Sequence, residues 1–337
     1  MSITVGSVVL KNRVFLAPMS GVSDAPFRRA AHQGGAGLVV SEMVASQELA
    51  KERPDMLRRA AGLGQVTPFA IQLAGREAVW MAEGARIATD LGADIIDINM
   101  GCPARQVTGG WSGSALMREP DLALSLIEAT VKATSVTVTL KMRLGWDERS
   151  LNAPDIARKA EAAGVKMITI HGRTRCQFYK GKANWAAIRK VAEAVSIPVV
   201  ANGDGNSVTD VKEMLAQSGA SAVMIGRACY GRPWWAGVLA SKLDSGSGAA
   251  EPDLRREYEI VSEQHREMLS LYGHEHGNRV ARKHLGWTLN RLVQRGFLDA
   301  EAAASWRTRL LSDNHNARVF KTLGELYAVA TELEQAA

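Results

Sequence analysis

Cysteine is scarce in this 337-residue chain: only Cys102, Cys176 and Cys229 occur, and no two form a CxxC pair. That scarcity excludes a disulfide framework or a cysteine-ligated zinc site, leads us to expect no bound metal, and fits a reducing compartment. Long apolar runs are also missing. No stretch of about 18 uncharged apolar residues exists, so no transmembrane helix is expected. Met1-Ser2-Ile3-Thr4-Val5 offers no positive leader before an apolar segment, so a cytoplasmic location is expected. No GxGxxG follows the first strand-like run, which argues against a dinucleotide-binding doubly wound sheet. What is present is 46% hydrophobic and 23% charged, enough for a substantial core. The net charge of +6 hints at a polyanionic partner, although a mildly basic balance alone is weak evidence.

Short apolar runs recur at Val14–Ala17, Gly37–Val40, Pro68–Leu73, Asp94–Asn99, Val136–Met142, Lys166–His171, Ile197–Asn202 and Ala222–Gly226. Most are continuous rather than alternating, as in parallel strands covered on both faces. Helix-type segments lie between them: Asp24–Gln33, Arg76–Asp90, Asp121–Ala133, Ala153–Ala163, Trp185–Ala194 and Ser207–Gln217. Eight such units in roughly 240 residues predict a (β/α)8 TIM barrel, an α/β fold, over residues 1–243.

Beyond it, residues 244–252 read as a Gly/Ser linker. Residues 253–337 then lack any strand pattern and predict a small all-α helical bundle, with helices over Leu254–Tyr272, Arg279–Gln294, Ala300–Leu311 and Val319–Gln335. From His276 to Lys321 there are nine Lys/Arg against three Asp/Glu. Such a run is commonly just a solvated face. On a helical unit fused to a barrel, a docking surface for a phosphate backbone is an equal alternative.

The most informative stretch is Ile95-Ile96-Asp97-Ile98-Asn99-Met100-Gly101-Cys102-Pro103. A buried strand ends in Asn-x-Gly-Cys-Pro, so a thiol is displayed where the chain enters a loop. Gly101 is expected to turn with positive φ, and Pro103 restricts Cys102 to extended geometry. Gly109, Gly110 and Gly113 would let the following loop act as a lid. A buried packing cysteine is the bland alternative, and it is the reading given to Cys176 and Cys229.

Polar residues at the carboxyl ends of barrel strands line the active face. Here they are Pro18 and Met19, Glu42, Gln72, Asn99 with Cys102, Lys141, His171, Asn202 with Asp204, and Gly226 with Arg227. The glycines of Asn202-Gly203-Asp204-Gly205 and Gly226-Arg227 expose backbone N–H groups beside a forked cation. Placed after strands seven and eight, they suit a phosphate monoester. Lys141 at the end of strand five could form a Schiff base or stabilise negative charge on a flavin ring. The surrounding amide and imidazole donors favour the flavin, with the thiol across the ring.

The chain resembles the tRNA-dihydrouridine synthases, most of all the bacterial B-type subgroup. The matching stretches include Ala17-Pro18-Met19-Ser20-Gly21-Val22-Ser23-Asp24, Asp97-Ile98-Asn99-Met100-Gly101-Cys102-Pro103, Leu140-Lys141-Met142-Arg143, His171-Gly172-Arg173-Thr174-Arg175, Val200-Ala201-Asn202-Gly203-Asp204 and Arg279-Val280-Ala281-Arg282-Lys283-His284. That resemblance implies an FMN-binding barrel followed by a helical domain that grips tRNA, with NADPH as electron donor. Pro18, Met19, Ser20, Gln72, Lys141, His171, Asn202, Gly203, Asp204, Gly226 and Arg227 match FMN-binding positions, and Cys102 matches the catalytic acid. Asn99 and Arg173 match positions facing the uracil or the flavin edge, and Arg279, Arg282 and Lys283 fall where tRNA contacts are expected. The family commonly has a basic residue four places after the cysteine, where this chain has Gln106. A tRNA uridine would be reduced to 5,6-dihydrouridine, with hydride from flavin N5 to C6 and a proton from the thiol to C5; thiols are mostly protonated near neutral pH. A monomer is expected. A flavin barrel acting on a free pyrimidine, dihydroorotate dehydrogenase-like, would not need the basic helical unit. A non-catalytic RNA-binding protein would not need the flavin donors.

Overall fold

The structure is a computed structural model that describes residues 1–62, 64–245, 248 and 250–336. It begins with an unforeseen antiparallel hairpin of β1 (Ile3–Val5) and β2 (Val8–Leu10). Eight parallel strands follow: β3 (Val14–Leu16), β4 (Val39–Ala45), β5 (Phe69–Ala74), β6 (Ile95–Met100), β7 (Thr137–Arg143), β8 (Ile168–His171), β9 (Val199–Asn202) and β10 (Ala222–Ile225). They close in sequential order, with β10 returning to β3 through Val223↔Val14 and Ile225↔Leu16. Each expected run overlaps one observed strand, and β4 extends to Ala45 through a register shift between Val40 and Met43.

Strand residues are buried on both faces, the reason their sequences do not alternate. Inside the barrel, Phe15, Ala70, Ile95, Met167 and Val200 pack with Val5 and Leu10 of the hairpin. The hairpin therefore closes the end where the strands begin, and a cavity is left at the opposite end.

Six outer helices lie where expected: Ala25–Gln33, Ala78–Asp90, Pro120–Lys132, Ala153–Ala162, Trp185–Ala192 and Val208–Ser218. Asp24 caps the first by accepting from Phe27 N–H, and Ser207 with Asp210 forms a capping box on the last. Short helices Ser46–Ala50 and Pro54–Ala60 fill the gap between β4 and β5. The eighth unit ends in helix Trp235–Ser245, so Asp244 and Ser245, read as the start of the linker, finish a helix instead. Gly246, Ser247 and Ala249 of that linker lie outside the described residues.

The carboxyl-terminal part is four helices, Leu254–Tyr272, His274–Gln294, Ala300–Ser312 and Asn316–Ala336. They share a core that includes Leu254, Val261, Leu289, Leu310 and Leu323. The basic run on these helices is largely neutralised by carboxylates from outside it. Arg291 meets Glu251 at 2.8 Å, Arg295 meets the buried Glu257 at 2.6 Å, and Arg309 meets Glu325. Arg279 lies 3.8 Å from Glu275 and is more than half exposed. Among the described residues, no helix is long and apolar enough to cross a membrane.

Two glycines test this packing in opposite directions. A Cβ at Gly237 would overlap the Gly34 carbonyl, whereas one at Gly286 would make only van der Waals contacts of 3.5 Å to Leu311 and 3.6 Å to Arg307. Gly237→Ala should destabilise by about 1–3 kcal/mol through overpacking. Gly286→Ala should stabilise by about 0.5–1 kcal/mol through helix propensity. Thermal unfolding of both variants checks the pair of signs.

Candidate active site

The mouth of the barrel at the carboxyl ends of the strands holds a cavity of about 590 Å³, within the roughly 300–1,000 Å³ usual for small-molecule sites. Pro18, Met19, Ser20, Gln72, Asn99, Cys102, Lys141, His171, Asn202, Gly203, Asp204, Gly226 and Arg227 all line it as expected, whereas Glu42 does not and is instead buried, accepting from the Gly21 N–H. Gln106 lines the cavity too.

Its floor is a chain of buried side-chain hydrogen bonds. The Asp97 carboxylate accepts from Thr139 Oγ1 at 2.6 Å and Gln72 Nε2 at 2.7 Å. Gln72 Oε1 in turn accepts from Asn99 Nδ2 at 2.7 Å. Asn99 Oδ1 then accepts from the backbone N–H of Gly101 at 3.3 Å and Cys102 at 3.1 Å. The donor loop therefore fixes which way the Asn99 amide points, and Asn99 positions the cysteine. Burial raises the Asp97 carboxyl above its ordinary range, while the bonds from Gln72 and Thr139 oppose the shift.

Gly101 does not adopt the expected positive φ; among the glycines near Cys102 only Gly113 does, at 61°. The turn is made by the Asn99 side chain instead. The Cys102 carbonyl is held by Ser114 N–H at 3.0 Å and Ser114 Oγ at 2.8 Å, and Arg143 Nε donates to the Gly101 carbonyl at 2.8 Å. Cys102 itself is half-buried and free, Cys229 is buried, and Cys176 is exposed rather than the packing residue expected. Burial pushes the Cys229 thiol up to about 12.

On the other side, Lys141 Nζ donates to Asn202 Oδ1 at 2.9 Å, and Asn202 Nδ2 donates to the Met224 carbonyl at 2.7 Å. Burial, aided by Arg143, lowers the Lys141 ammonium to about 8 against the pull of Asp97 and Cys102. His171 is driven well below its ordinary value by burial, then by Arg143, Lys141, Arg173 and Arg227. Arg173 Nη1 lies 3.2 Å from His171 Nε2. A guanidinium only donates, so Nε2 carries the lone pair and the neutral ring is protonated on Nδ1.

Arg173 was expected to face the uracil or the flavin edge, and the structure places it elsewhere. It is 1% exposed, does not line the cavity, and grips both Asp204 oxygens (3.1 and 2.5 Å) plus the carbonyls of Lys180 and Gly181. Burial pushes the Asp204 carboxyl up, but Arg173, the Ala183 N–H and Arg227 outweigh it and hold the group low. Asp204 passes its remaining charge to Arg227 at 3.1 Å, whose side chain is half exposed at the rim. Arg279 is exposed, Arg282 bonds Asn314 Oδ1 at 2.6 Å, and the Lys283 ammonium sits on the Gly21 carbonyl. None of these three lines the cavity.

Arg59, Arg143, Phe178, Tyr179 and Tyr230 also line the cavity and were not foreseen. For Arg143 the signal was present: two residues beyond Lys141 on one strand, it shares the inward face. Among the described residues, no cluster of three or more His, Cys, Asp or Glu is placed to hold a metal.

A closed parallel barrel with a thiol and buried cations at the carboxyl-end mouth defines a TIM-barrel enzyme. Comparison with known proteins narrows the class. The dihydrouridine synthase (Dus) family profile matches residues 15–329. A probable tRNA-dihydrouridine synthase of Rhizobium leguminosarum bv. phaseoli is 61% identical over 284 residues, covering 84% of this chain and 87% of the relative. tRNA-dihydrouridine synthase B of Xanthomonas campestris is 44% identical over 283 residues, covering 84% and 85%. The chain belongs to the dihydrouridine synthase family. Among solved structures, morphinone reductase superposes with a TM-score of 0.54 over 76% of this chain and 91% of that one, at 15% identity. A histamine dehydrogenase from Rhizobium sp. 4-9 gives a TM-score of 0.56 at 14% identity, covering 78% of this chain and 50% of that one. Those two show the shared barrel fold.

Gly113 provides a direct test of the cysteine loop. A Cβ there would lie 2.8 Å from the Cys102 carbonyl oxygen and 3.2 Å from Cys102 Cβ. Gly113→Ala should therefore cost about 1–3 kcal/mol and shift the loop. Its alkylation rate at Cys102, read by mass spectrometry, should differ from wild type; an identical rate and melting temperature would contradict the packing described.

Proposed function

We propose that this chain reduces a uridine of tRNA to 5,6-dihydrouridine, with FMN in the barrel mouth, NADPH as electron donor and Cys102 as the proton donor. The observation that carries the reading is the half-buried Cys102 thiol and the buried Lys141 ammonium lining one cavity of flavin size in a member of the dihydrouridine synthase family.

The residues fit the cofactor. An ammonium has three N–H donors, and Lys141 uses one on Asn202, so it can meet the electron-rich N1–O2 edge of a flavin. Gln72 and neutral His171 offer further polar edges, and Gly203, Gly226 and the half-exposed Arg227 suit a terminal phosphate. When bound, FMN re-reduced by NADPH would supply the hydride for uracil C6. The protein's share is the proton: the Cys102 S–H gives it to C5 and is later re-protonated from solvent. Asn99, through its two bonds to the backbone of Gly101 and Cys102, aims that thiol.

A uridine inside a folded tRNA must leave its stack, at a cost on the order of a few kcal/mol. The helical unit from residue 253 onward offsets this by docking the backbone, with exposed Arg279 and half-buried Arg282 as phosphate contacts. Arg173 acts behind His171 and Asp204 rather than on the base. Such a substrate places the enzyme in the cytoplasm.

Cys102→Ala should keep its flavin spectrum and its oxidation of NADPH, yet lose about a hundredfold or more in single-turnover reduction of tRNA. Unchanged reduction would sink the acid assignment. The Lys141 charge, with its ordinary value lowered to about 8, disappears as pH rises through that value. Apoprotein affinity for FMN should fall across the same interval, and Lys141→Met should remove the dependence. A flat wild-type profile in a fluorescence titration would place the ammonium away from the ring.

A further inference from the structure

Helix His274–Gln294 turns Lys283, His284 and Trp287 toward the barrel, the three- and four-residue spacing of one helix face. Lys283 and Trp287 each reach a residue in or beside a segment that lines the cavity. The Lys283 ammonium donates to the carbonyl of Gly21. The N–H of the same residue donates to the buried Glu42 carboxylate at 2.5 Å. Gly21, at φ 73°, is thus held from both sides, by the barrel and by the helical unit. It sits in a tight turn in which Val22 and Ser23 N–H bond the Met19 carbonyl at 2.9 Å and Met19 N–H bonds Ser23 Oγ at 2.8 Å. Pro18, Met19 and Ser20, the cavity-lining part, are continuous with that turn. At its far end, Tyr272 of the preceding helix donates to Asp24 Oδ2 at 3.1 Å.

Trp287 stacks on Tyr230, another cavity residue, with ring centroids 4.0 Å apart and planes at 11°. Beside it a Cβ on Gly231 would lie 2.6 Å from the Trp287 backbone, so glycine is required for that approach. Arg58, next to cavity-lining Arg59, lies 5.3 Å from the Tyr272 ring. Three separate pieces of cavity wall therefore bear on two helices of the carboxyl-terminal unit.

We propose that Lys283 and Trp287 are positioning residues that hold the Pro18–Ser20 turn and Tyr230 against the cofactor, so that the helical unit completes the flavin cavity as well as docking tRNA. The Lys283 ammonium is committed to Gly21 instead of to phosphate. This rests on the FMN reading above, and the test separates the two.

Full-length Lys283→Met apoprotein, titrated with FMN in the absence of tRNA, should bind about tenfold more weakly, the loss of one charged hydrogen bond. Lys283→Arg should recover most of the affinity. The salt slope of tRNA binding should stay at the wild-type value in Lys283→Met, whereas Arg279→Ala should keep FMN affinity and lower the slope by about one. Hydrogen exchange in the apoprotein supplies a readout without cofactor: amides of Met19–Ala25 should exchange faster in Lys283→Met, and those around Tyr230 faster in Trp287→Leu. Unchanged FMN affinity and exchange in Lys283→Met, with a salt slope reduced by about one, would make Lys283 a phosphate contact and overturn the proposal. Wild-type protein that binds no FMN would overturn the cofactor reading alone, and the exchange experiment would still decide the role of Lys283.

Discussion

The mouth of this barrel depends on keeping the Lys141 ammonium out of water. Removing such an ion from solvent costs several kcal/mol unless other groups compensate. Here it has one hydrogen-bond acceptor, Asn202, and a more distant carboxylate, Asp97. Arg143, buried on the same strand face, adds a second cation. Arg173 and Arg227 share a single carboxylate, Asp204. The site therefore carries more fixed positive than negative charge in a poorly hydrated place. His171 responds by staying neutral. An anionic ligand would relieve the excess, and on the reading proposed above that ligand is the reduced, negatively charged form of the cofactor together with its phosphate.

The same economy of partners sets the geometry of the thiol. Asn99 has four hydrogen-bonding capacities, and three are occupied: one N–H by Gln72 and the carbonyl oxygen by the N–H groups of Gly101 and Cys102. Gln72 is oriented by Asp97, and Asp97 by Thr139. Three neighbouring strands, β5, β6 and β7, thus pass orientation from the barrel wall to the loop that bears the thiol. A buried network this closely connected holds one arrangement well and tolerates substitution poorly.

Much of this was legible in the sequence because the barrel's rules are local. Continuous apolar runs mark strands covered on both faces, and the residue where each run stops faces the mouth. That reasoning found Gln72, Asn99, Lys141, His171 and Asn202. Arg173, placed at the substrate by the family resemblance and not by strand position, is a different case. It lies two residues past His171, where the chain has left β8, and it turns back beneath the site toward Asp204. Gly101 was read as the turn-maker, yet an Asn side chain does that work. The basic run of the helical unit reads as unpaired because its partners, Glu251, Glu257 and Glu325, lie outside residues 276–321 in the sequence. The amino-terminal hairpin was missed because three-residue strands carry almost no period.

The contacts of helix His274–Gln294 bear on how the two parts of the chain act together. The helix carries exposed Arg279 near its start, and Lys283 and Trp287 one and two turns further on, facing the barrel. On the reading proposed above, one rigid helix would meet RNA with one end and brace the cofactor cavity with the other, giving the two sites a shared element. Any free energy that RNA docking added to one position of the helix would then be felt at the Gly21 turn and at Tyr230. Linkage makes the effect reciprocal: whatever factor RNA exerts on cofactor affinity, the cofactor exerts on RNA affinity. On that proposal the carboxyl-terminal helices brace the active site's wall from behind, and the boundary near residue 245 divides the chain by secondary structure more than by function.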